Sequence, residues 1–191
     1  MGRPQLAAVL LDRDGTINVK APEGEYVSRP QQMRLLPGAA EAIRTLNQAG
    51  VPVVIVTNQR GIALGRMTER DLAEVHDRLR ALLRSQSAWI EQIFYCPHDK
   101  GACRCRKPGT LMLDWAREYL GLADLRTAVM IGDSPSDIVA GRAVGARTVR
   151  IGDKRTVPPE SGPVAATLLE AVGQILGLGV VPAAELAASS R

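Results

Sequence analysis

The sequence predicts an α/β protein built on a parallel sheet, and two observations carry that expectation. Apolar runs alternate with amphipathic stretches from end to end, and the runs are continuous rather than alternating with polar residues. A strand covered on both faces has no polar side to show, so it reads as an unbroken apolar run. Ala7 to Leu11, Val51 to Val56 and Thr127 to Ile131 have that character, with Arg147 to Ile151 and Trp89 to Tyr95 as weaker candidates. Between them, helices are marked by their ends. Gly38 to Ala49 stops at Gly50, Thr68 to Arg84 opens on a Thr with Asp71 three residues on, and Thr110 to Leu120 stops at Gly121. Ser134 followed by Pro135 marks another start, because Ser caps free N–H groups and Pro lacks the N–H that goes unpaired in a first turn. That helix is predicted to run to Val144 and stop at Gly145, and a final helix is predicted over Val164 to Leu176.

The 191 residues suffice for one domain with a substantial core, expected over 1–178, followed by a tail over 179–191 rich in Ala, Ser and Pro that is expected to fray. Apolar residues at 46% and charged residues at 23% describe a globular chain rather than a disordered one, and 3% aromatics leave the interior to aliphatic packing. The net charge of +4 comes from scattered Arg without a dense basic block, so a small anionic substrate is expected rather than a nucleic acid. No run approaches the roughly 20 apolar residues that cross a bilayer. A cytoplasmic monomer is expected.

Chemistry is expected beyond the carboxyl ends of the strands, where open parallel sheets bind ligands. The first run ends in Leu11-Asp12-Arg13-Asp14-Gly15-Thr16. In extended chain, positions two apart point the same way, which turns Asp12 and Asp14 toward one spot and Arg13 elsewhere. Two like charges so close need a shared proton or a cation, and a hard divalent ion such as Mg²⁺ suits oxygen donors. By itself such a pair is more often a solvated turn. Thr57 ends the second run, where its hydroxyl and the following N–H groups would suit phosphate oxygens, although Thr-Asn after a strand is by itself a common turn. Lys107 stands just before a predicted helix, where an ammonium could balance phosphate charge, although a lone surface Lys is usually only solvated. Asp133 closes another run ahead of Ser134 and Pro135 as a further carboxylate for the metal, while Asp137 reads either as helix-dipole compensation or as support for the site.

All three cysteines and one of two histidines fall within ten residues: Cys96, His98, Cys103 and Cys105. Four such ligands are what a structural Zn²⁺ takes, with no position left open for catalysis. Reduced surface thiols, or a disulfide with one Cys left over, are the alternatives. Lys107 follows the last of these ligands by two residues, so metal in the loop also holds Arg106 and Lys107 in place. His76 reads as an ordinary helix-face residue.

Together, Asp-x-Asp-Gly-Thr at 12–16, Thr57-Asn58, Lys107 and Gly132-Asp133-x-x-x-Asp137, in this order, resemble the haloacid dehalogenase (HAD) superfamily of phosphatases. The resemblance implies a three-layer, Rossmann-like, capless fold with a small zinc loop at 96–105. It implies that Asp12 is the nucleophile and Asp14 the general acid and base. It further implies that Thr57 and Lys107 hold the phosphoryl group, and that Asp12, Asp133 and the backbone carbonyl of Asp14 hold Mg²⁺. Leu11 to Asn18, with Cys-x-His, Cys-x-Cys and Arg-Lys-Pro, is similar to the D-glycero-D-manno-heptose 1,7-bisphosphate 7-phosphatase group, with histidinol-phosphate phosphatases close by. That group implies a sugar bisphosphate as substrate. Without a cap, substrate choice is expected from Glu25 and Tyr26, from Asn58, Gln59 and Arg60, and from Arg106. One departure stands out, since better-known members carry Gly-Asp-Lys where this chain has Gly132-Asp133-Ser134. Polynucleotide 3′-phosphatase is a further enzyme reading, weakened by the lack of an aromatic-and-basic stripe. A zinc-containing binding module is the non-enzyme reading, and it leaves the catalytic positions unexplained.

Overall fold

The computed structural model describes residues 6–178; the frayed tail expected over 179–191 lies outside them. Six strands form one parallel sheet: β1 (Ala8–Leu11), β2 (Val53–Asn58), β3 (Gln92–Cys96), β4 (Ala128–Gly132), β5 (Arg147–Ile151) and β6 (Val164–Ala165). Their order across the sheet is β3-β2-β1-β4-β5-β6. The first four connections each carry one α-helix, α1 (Ala39–Gln48), α2 (Glu69–Arg84), α3 (Leu111–Tyr119) and α4 (Pro135–Ala143), and α5 (Leu168–Leu176) follows β6. Among the described residues no helix is long and apolar enough to cross a membrane.

The continuous apolar runs have the cause the sequence suggested. Val9 and Leu11 of β1 pack with α1, α2 and α5, through Ile43, Leu46, Val75, Leu79 and Val172. Ala8 and Leu10 face the other way onto α3 and α4, through Met112, Leu113 and Ala140. Alternate residues of one strand thus serve two cores, and this makes the three layers. Burying a Leu such as Leu10 stabilises the fold by roughly 2 kcal/mol.

Helix α2 opens as its spelling indicates: the Thr68 hydroxyl accepts from the Asp71 N–H at 3.1 Å, and the Asp71 carboxylate accepts from the Thr68 N–H at 2.8 Å. Two elements differ from expectation. The chain enters β3 later than Trp89 because Asn47 brackets Trp89, accepting from its N–H at 3.0 Å and donating to its carbonyl at 3.2 Å. Strand pairing then begins where the Glu91 N–H reaches the Val53 carbonyl. The last helix starts at Leu168 rather than Val164, since Thr167 is its cap, accepting from Glu170 at 3.1 Å, and Val164 instead pairs along β5.

The strand order decides where chemistry can sit. From β1 the chain moves outward to β2 and β3, then returns to β4 on the other side, so the ends of β1 and β4 flank the point where the order reverses. At such a point the connecting loops part and leave a crevice. Leu11 is in register with Ile55 and Ile131, so the residues just past these strands emerge level with one another.

Candidate active site

Asp12 is the first residue beyond β1, fixed by its N–H donating to the Ile131 carbonyl at 2.9 Å. Asp133 follows β4 directly, and Asp137 lies in the first turn of α4. Each of the three offers an oxygen, all within 4.8 Å of one another. Gly132 makes this approach possible, since a Cβ there would collide with the Asp137 carboxylate. Asp137 does two jobs at once: it accepts from the Ser134 N–H at 2.9 Å as the helix cap, and its other oxygen meets Lys107 Nζ at 2.6 Å. Asp137 thus stands where either reading of it from the sequence would place it, capping α4 and touching Lys107.

Lys107 is buried, and its ammonium donates to Asp12 Oδ1 at 2.7 Å and to the Val56 carbonyl at 2.6 Å. Two ammonium groups, the buried Lys107 on Asp12 and Asp137 and the half-exposed Lys20 on Asp133, stand against three carboxylates, so carboxylate remains in excess. Burial, reinforced by the Asp137 and Asp14 charges and opposed by Lys107, pushes the Asp12 carboxyl up to about 7. Burial also raises Asp133, even though Lys20 pairs with it. Burial would lower the Lys107 ammonium, but Asp12 and Asp137 outweigh that and raise it, so the lysine stays charged. Asp133 Oδ1 is buried with no hydrogen-bond partner among the described residues. An excess of carboxylate and an orphaned buried oxygen are the donor chemistry that a hard divalent cation satisfies.

Asp14 departs from expectation. Its side chain is not in the carboxylate cluster, and Arg13 does not point away from it. Strand geometry ends at Leu11, and the chain curls at Asp14 into a bridge with Asn18 and a left-handed Gly15, so the period of two does not reach position 14. The fully buried Arg13 guanidinium meets both Asp14 oxygens, at 2.8 and 3.0 Å. Asn18 and Gln59 each add a bond at 2.9 Å. Burial works to raise the Asp14 carboxyl, but the Arg13 charge and the bonds from Asn18, Arg13 and Gln59 hold it below the ordinary range. Behind Arg13 stands His76, buried on α2 and 3.1 Å from Nη1. It is not an ordinary helix-face residue. Burial and the Arg13 charge push it down to about 3, so it is a neutral acceptor for Arg13.

The other expected residues divide. Thr57 is buried at the end of β2, accepting from Gln59 Nε2 at 2.8 Å. Asn58 brackets the Lys107 backbone, donating to its carbonyl at 3.1 Å and accepting from its N–H at 3.0 Å. Asn58 and Gln59, expected at the substrate, thus spend their side chains on Lys107 and on Asp14 and Thr57. Arg60 reaches across to Asp99 at 2.5 Å, and Arg106 keeps a buried Nη1 without a partner among the described residues. Tyr26 lies over Gly61, where a Cβ would come within 2.8 Å of its ring, and Glu25 is exposed beside it. Nothing in the residue pattern signals Arg13 with His76, which are 63 positions apart, or Lys20 against Asp133.

Cys96, His98, Cys103 and Cys105 converge at the end of β3. Cys103 Sγ lies 3.5 Å from Cys96 Sγ and 3.3 Å from Cys105 Sγ, and His98 Nδ1 lies 3.7 Å from Cys96 Sγ and 3.3 Å from Cys105 Sγ. Bonds of about 2.3 Å to sulfur and 2.0 Å to nitrogen put neighbouring ligands on a tetrahedral zinc about 3.5–3.8 Å apart. The cluster is close to that size and is compatible with such a site. The three thiols are unpaired by disulfides. Burial opposes a charge on Cys103, but hydrogen bonds from the Arg106 N–H and the neighbouring thiols bring it down to about 6; burial and the same neighbours push Cys105 up to about 12. One thiolate is favoured and further ones resisted, which is the imbalance a dication relieves.

A parallel sheet with this order and an Asp at the end of its central strand, faced by a buried Lys and two more Asp, defines a HAD-type hydrolase. Residues 9–82 match the haloacid dehalogenase-like hydrolase family and residues 104–168 a HAD-hydrolase-like family. The chain is 39% identical over 151 residues to the D-glycero-β-D-manno-heptose-1,7-bisphosphate 7-phosphatase of Rhodopseudomonas palustris, covering 74% of this chain and 81% of that protein. The enzyme of the same name from Escherichia coli K12 is 33% identical over 177 residues, covering 88% of this chain and 91% of its own. Among solved structures, the D,D-heptose 1,7-bisphosphate phosphatase of B. bronchiseptica, complexed with magnesium and phosphate, superposes with a TM-score of 0.80 at 32% identity, covering 90% of this chain and 98% of that one. The chain belongs to the D-glycero-D-manno-heptose-1,7-bisphosphate 7-phosphatase family of HAD-superfamily phosphatases, and is a phosphoric monoester hydrolase.

Proposed function

We propose that this enzyme is a Mg²⁺-dependent phosphatase that removes the C7 phosphate of D-glycero-D-manno-heptose 1,7-bisphosphate in the cytoplasm, through an aspartyl-phosphate on Asp12. The observation that carries the reading is the Asp12 oxygen held against Lys107 beside Asp133 and Asp137, in a chain so similar to heptose bisphosphate phosphatases. Asp12 attacks phosphorus in line, forming its O–P bond as the ester O–P bond breaks. Asp14 gives a proton to the departing sugar oxygen, then takes one from the water that hydrolyses the phosphoenzyme. Arg13 favours the ionised Asp14 that the second half needs, and the incoming phosphate dianion opposes that charge in the first half. Thr57 and Lys107 hold the phosphoryl oxygens, while Asn58 fixes Lys107 by its backbone. Asp12, Asp133 and the Asp14 carbonyl are the Mg²⁺ ligands, and the ion supplies charge neutralisation to the transferring group. Cys96, His98, Cys103 and Cys105 hold a structural Zn²⁺. Glu25, Tyr26, Arg60 and Arg106 line the approach for the sugar and its second phosphate.

Phosphate release from a panel of phosphorylated metabolites tests this. Both anomers of the heptose bisphosphate and histidinol phosphate belong in the panel. The highest kcat/KM is expected on a heptose bisphosphate; a higher value on histidinol phosphate would replace the substrate, and no release from any phosphomonoester would overturn the enzyme reading.

A further inference from the structure

Four cations stand in or beside the carboxylate cluster, and three of them are committed, Arg150 through its Nε on the Asp133 carbonyl at 2.8 Å. Lys107 is buried with its ammonium on Asp12, Asp137 and the Val56 carbonyl, so it is fixed in place and meets only the phosphoryl oxygens brought up to Asp12. Arg13 is buried and spent on Asp14, Gln59 and His76. Lys20 is different. Its side chain is half exposed, and its one partner among the described residues is Asp133 Oδ2.

The position of Lys20 is built rather than incidental. The backbone just before it is pinned: the Gly15 N–H meets the Asn18 carbonyl at 2.8 Å, Asn18 donates to the Val19 carbonyl at 2.9 Å, and the Val19 N–H meets the Arg34 carbonyl at 2.9 Å. From there the lysine stem crosses over Gly15. A Cβ at Gly15 would stand 2.9 Å from Lys20 Cε and would collide with the Asp133 carboxylate, so a bare backbone is what opens the path. Ser134, next to Asp133, carries no charge and spends its oxygen on α4, accepting from Ser136.

We infer that Lys20 is the substrate-anion cation of this site, moving its ammonium from Asp133 to a non-bridging oxygen of the phosphoryl group when a phosphomonoester binds. This deepens the phosphatase reading and rests on it. A flexible stem with a compact point charge suits the transfer, and the exposed ammonium gives up only one partner to make it. Because the contact exists in substrate, transition state and product alike, it acts on affinity more than on the chemical step.

The test uses the holoenzyme with zinc and Mg²⁺ present. Lys20→Met keeps the stem and removes the charge. KM for the preferred phosphomonoester and the inhibition constant for inorganic phosphate should both rise about tenfold, with kcat changed less than twofold to threefold. Lys20→Arg should restore most of both. Adding Ser134→Lys to Lys20→Met should also recover part of the phosphate affinity, by returning a cation to the far side of Asp133. The concentration of Mg²⁺ giving half-maximal activity should not rise in Lys20→Met, since the ammonium and the metal share a carboxylate. Unchanged KM and phosphate inhibition in Lys20→Met, or a loss of Mg²⁺ affinity that accounts for the whole effect, overturns the assignment. A native protein that hydrolyses no phosphomonoester overturns the underlying phosphatase reading instead.

Discussion

The carboxylate crevice and the thiol loop are two clusters of metal-ligand type assembled in opposite ways. The loop takes four ligands from ten consecutive positions at the end of one strand. The crevice gathers Asp12, Lys107, Asp133 and Asp137 from three separate parts of the chain, and it exists only because β1 and β4 lie side by side. The loop is soft-donor and closed, suited to hold an ion permanently; the crevice is hard-donor with an unsatisfied oxygen, suited to an ion that serves a reaction. The two meet at Lys107, two residues beyond Cys105 and clamped by Asn58.

Replacing Asp12 by Asn should separate the clusters most sharply. Turnover is expected to fall by at least about a thousandfold while zinc content and fold persist, measured by phosphate release and elemental analysis. Cys105→Ser attacks the other side. It should release zinc and destabilise the chain by about 3 kcal/mol or more, seen as a loss of roughly 6–12 °C in Tm, and activity should fall with it as Lys107 loses its anchor. Asn58→Ala cuts the link alone. A loss of about tenfold to a hundredfold in kcat with zinc retained is expected; unchanged kcat would show that the clusters are independent.

The smallest effect concerns the support beneath Asp14. His76 is neutral in the fold and pushed down to about 3 from an ordinary 6.5, so the unfolded chain binds more protons between those values. The stability it confers is complete above about pH 6.5 and is lost as pH falls toward 3. Between about pH 6.5 and 4.5, thermal or denaturant unfolding should show the native protein losing about 2 kcal/mol more than His76→Gln. Equal losses would remove His76 from the buried Arg13 network.

These regions also differ in how far the sequence disclosed them. Cys96, His98, Cys103 and Cys105 were legible because their ligand types and short spacing already specify a tetrahedron. Asp12 and Asp133 were legible through order, each closing an apolar run. Asp14 was misread because alternation was extended past the end of β1, into a turn that Asn18 and Gly15 shape. The amides of Asn58 and Gln59 looked like substrate contacts, since nothing in a Thr-Asn-Gln run reveals that the Lys107 backbone will lie against it. Arg13 with His76, and Lys20 with Asp133, stayed hidden because their pairing depends on α2 and β4 packing against the first loop. The late start of α5 at Leu168 is a smaller case of the same kind, with Val164 recruited by a neighbouring strand.

The division of labour between a permanent ion and a working ion is tested most directly by dialysing the purified enzyme into Mg²⁺-free buffer, then measuring zinc content and phosphate release on the same sample. One zinc per chain with turnover abolished, and restored by adding Mg²⁺ alone, is the expected result. Turnover that persists without Mg²⁺, or a chain that never carried zinc, would contradict it.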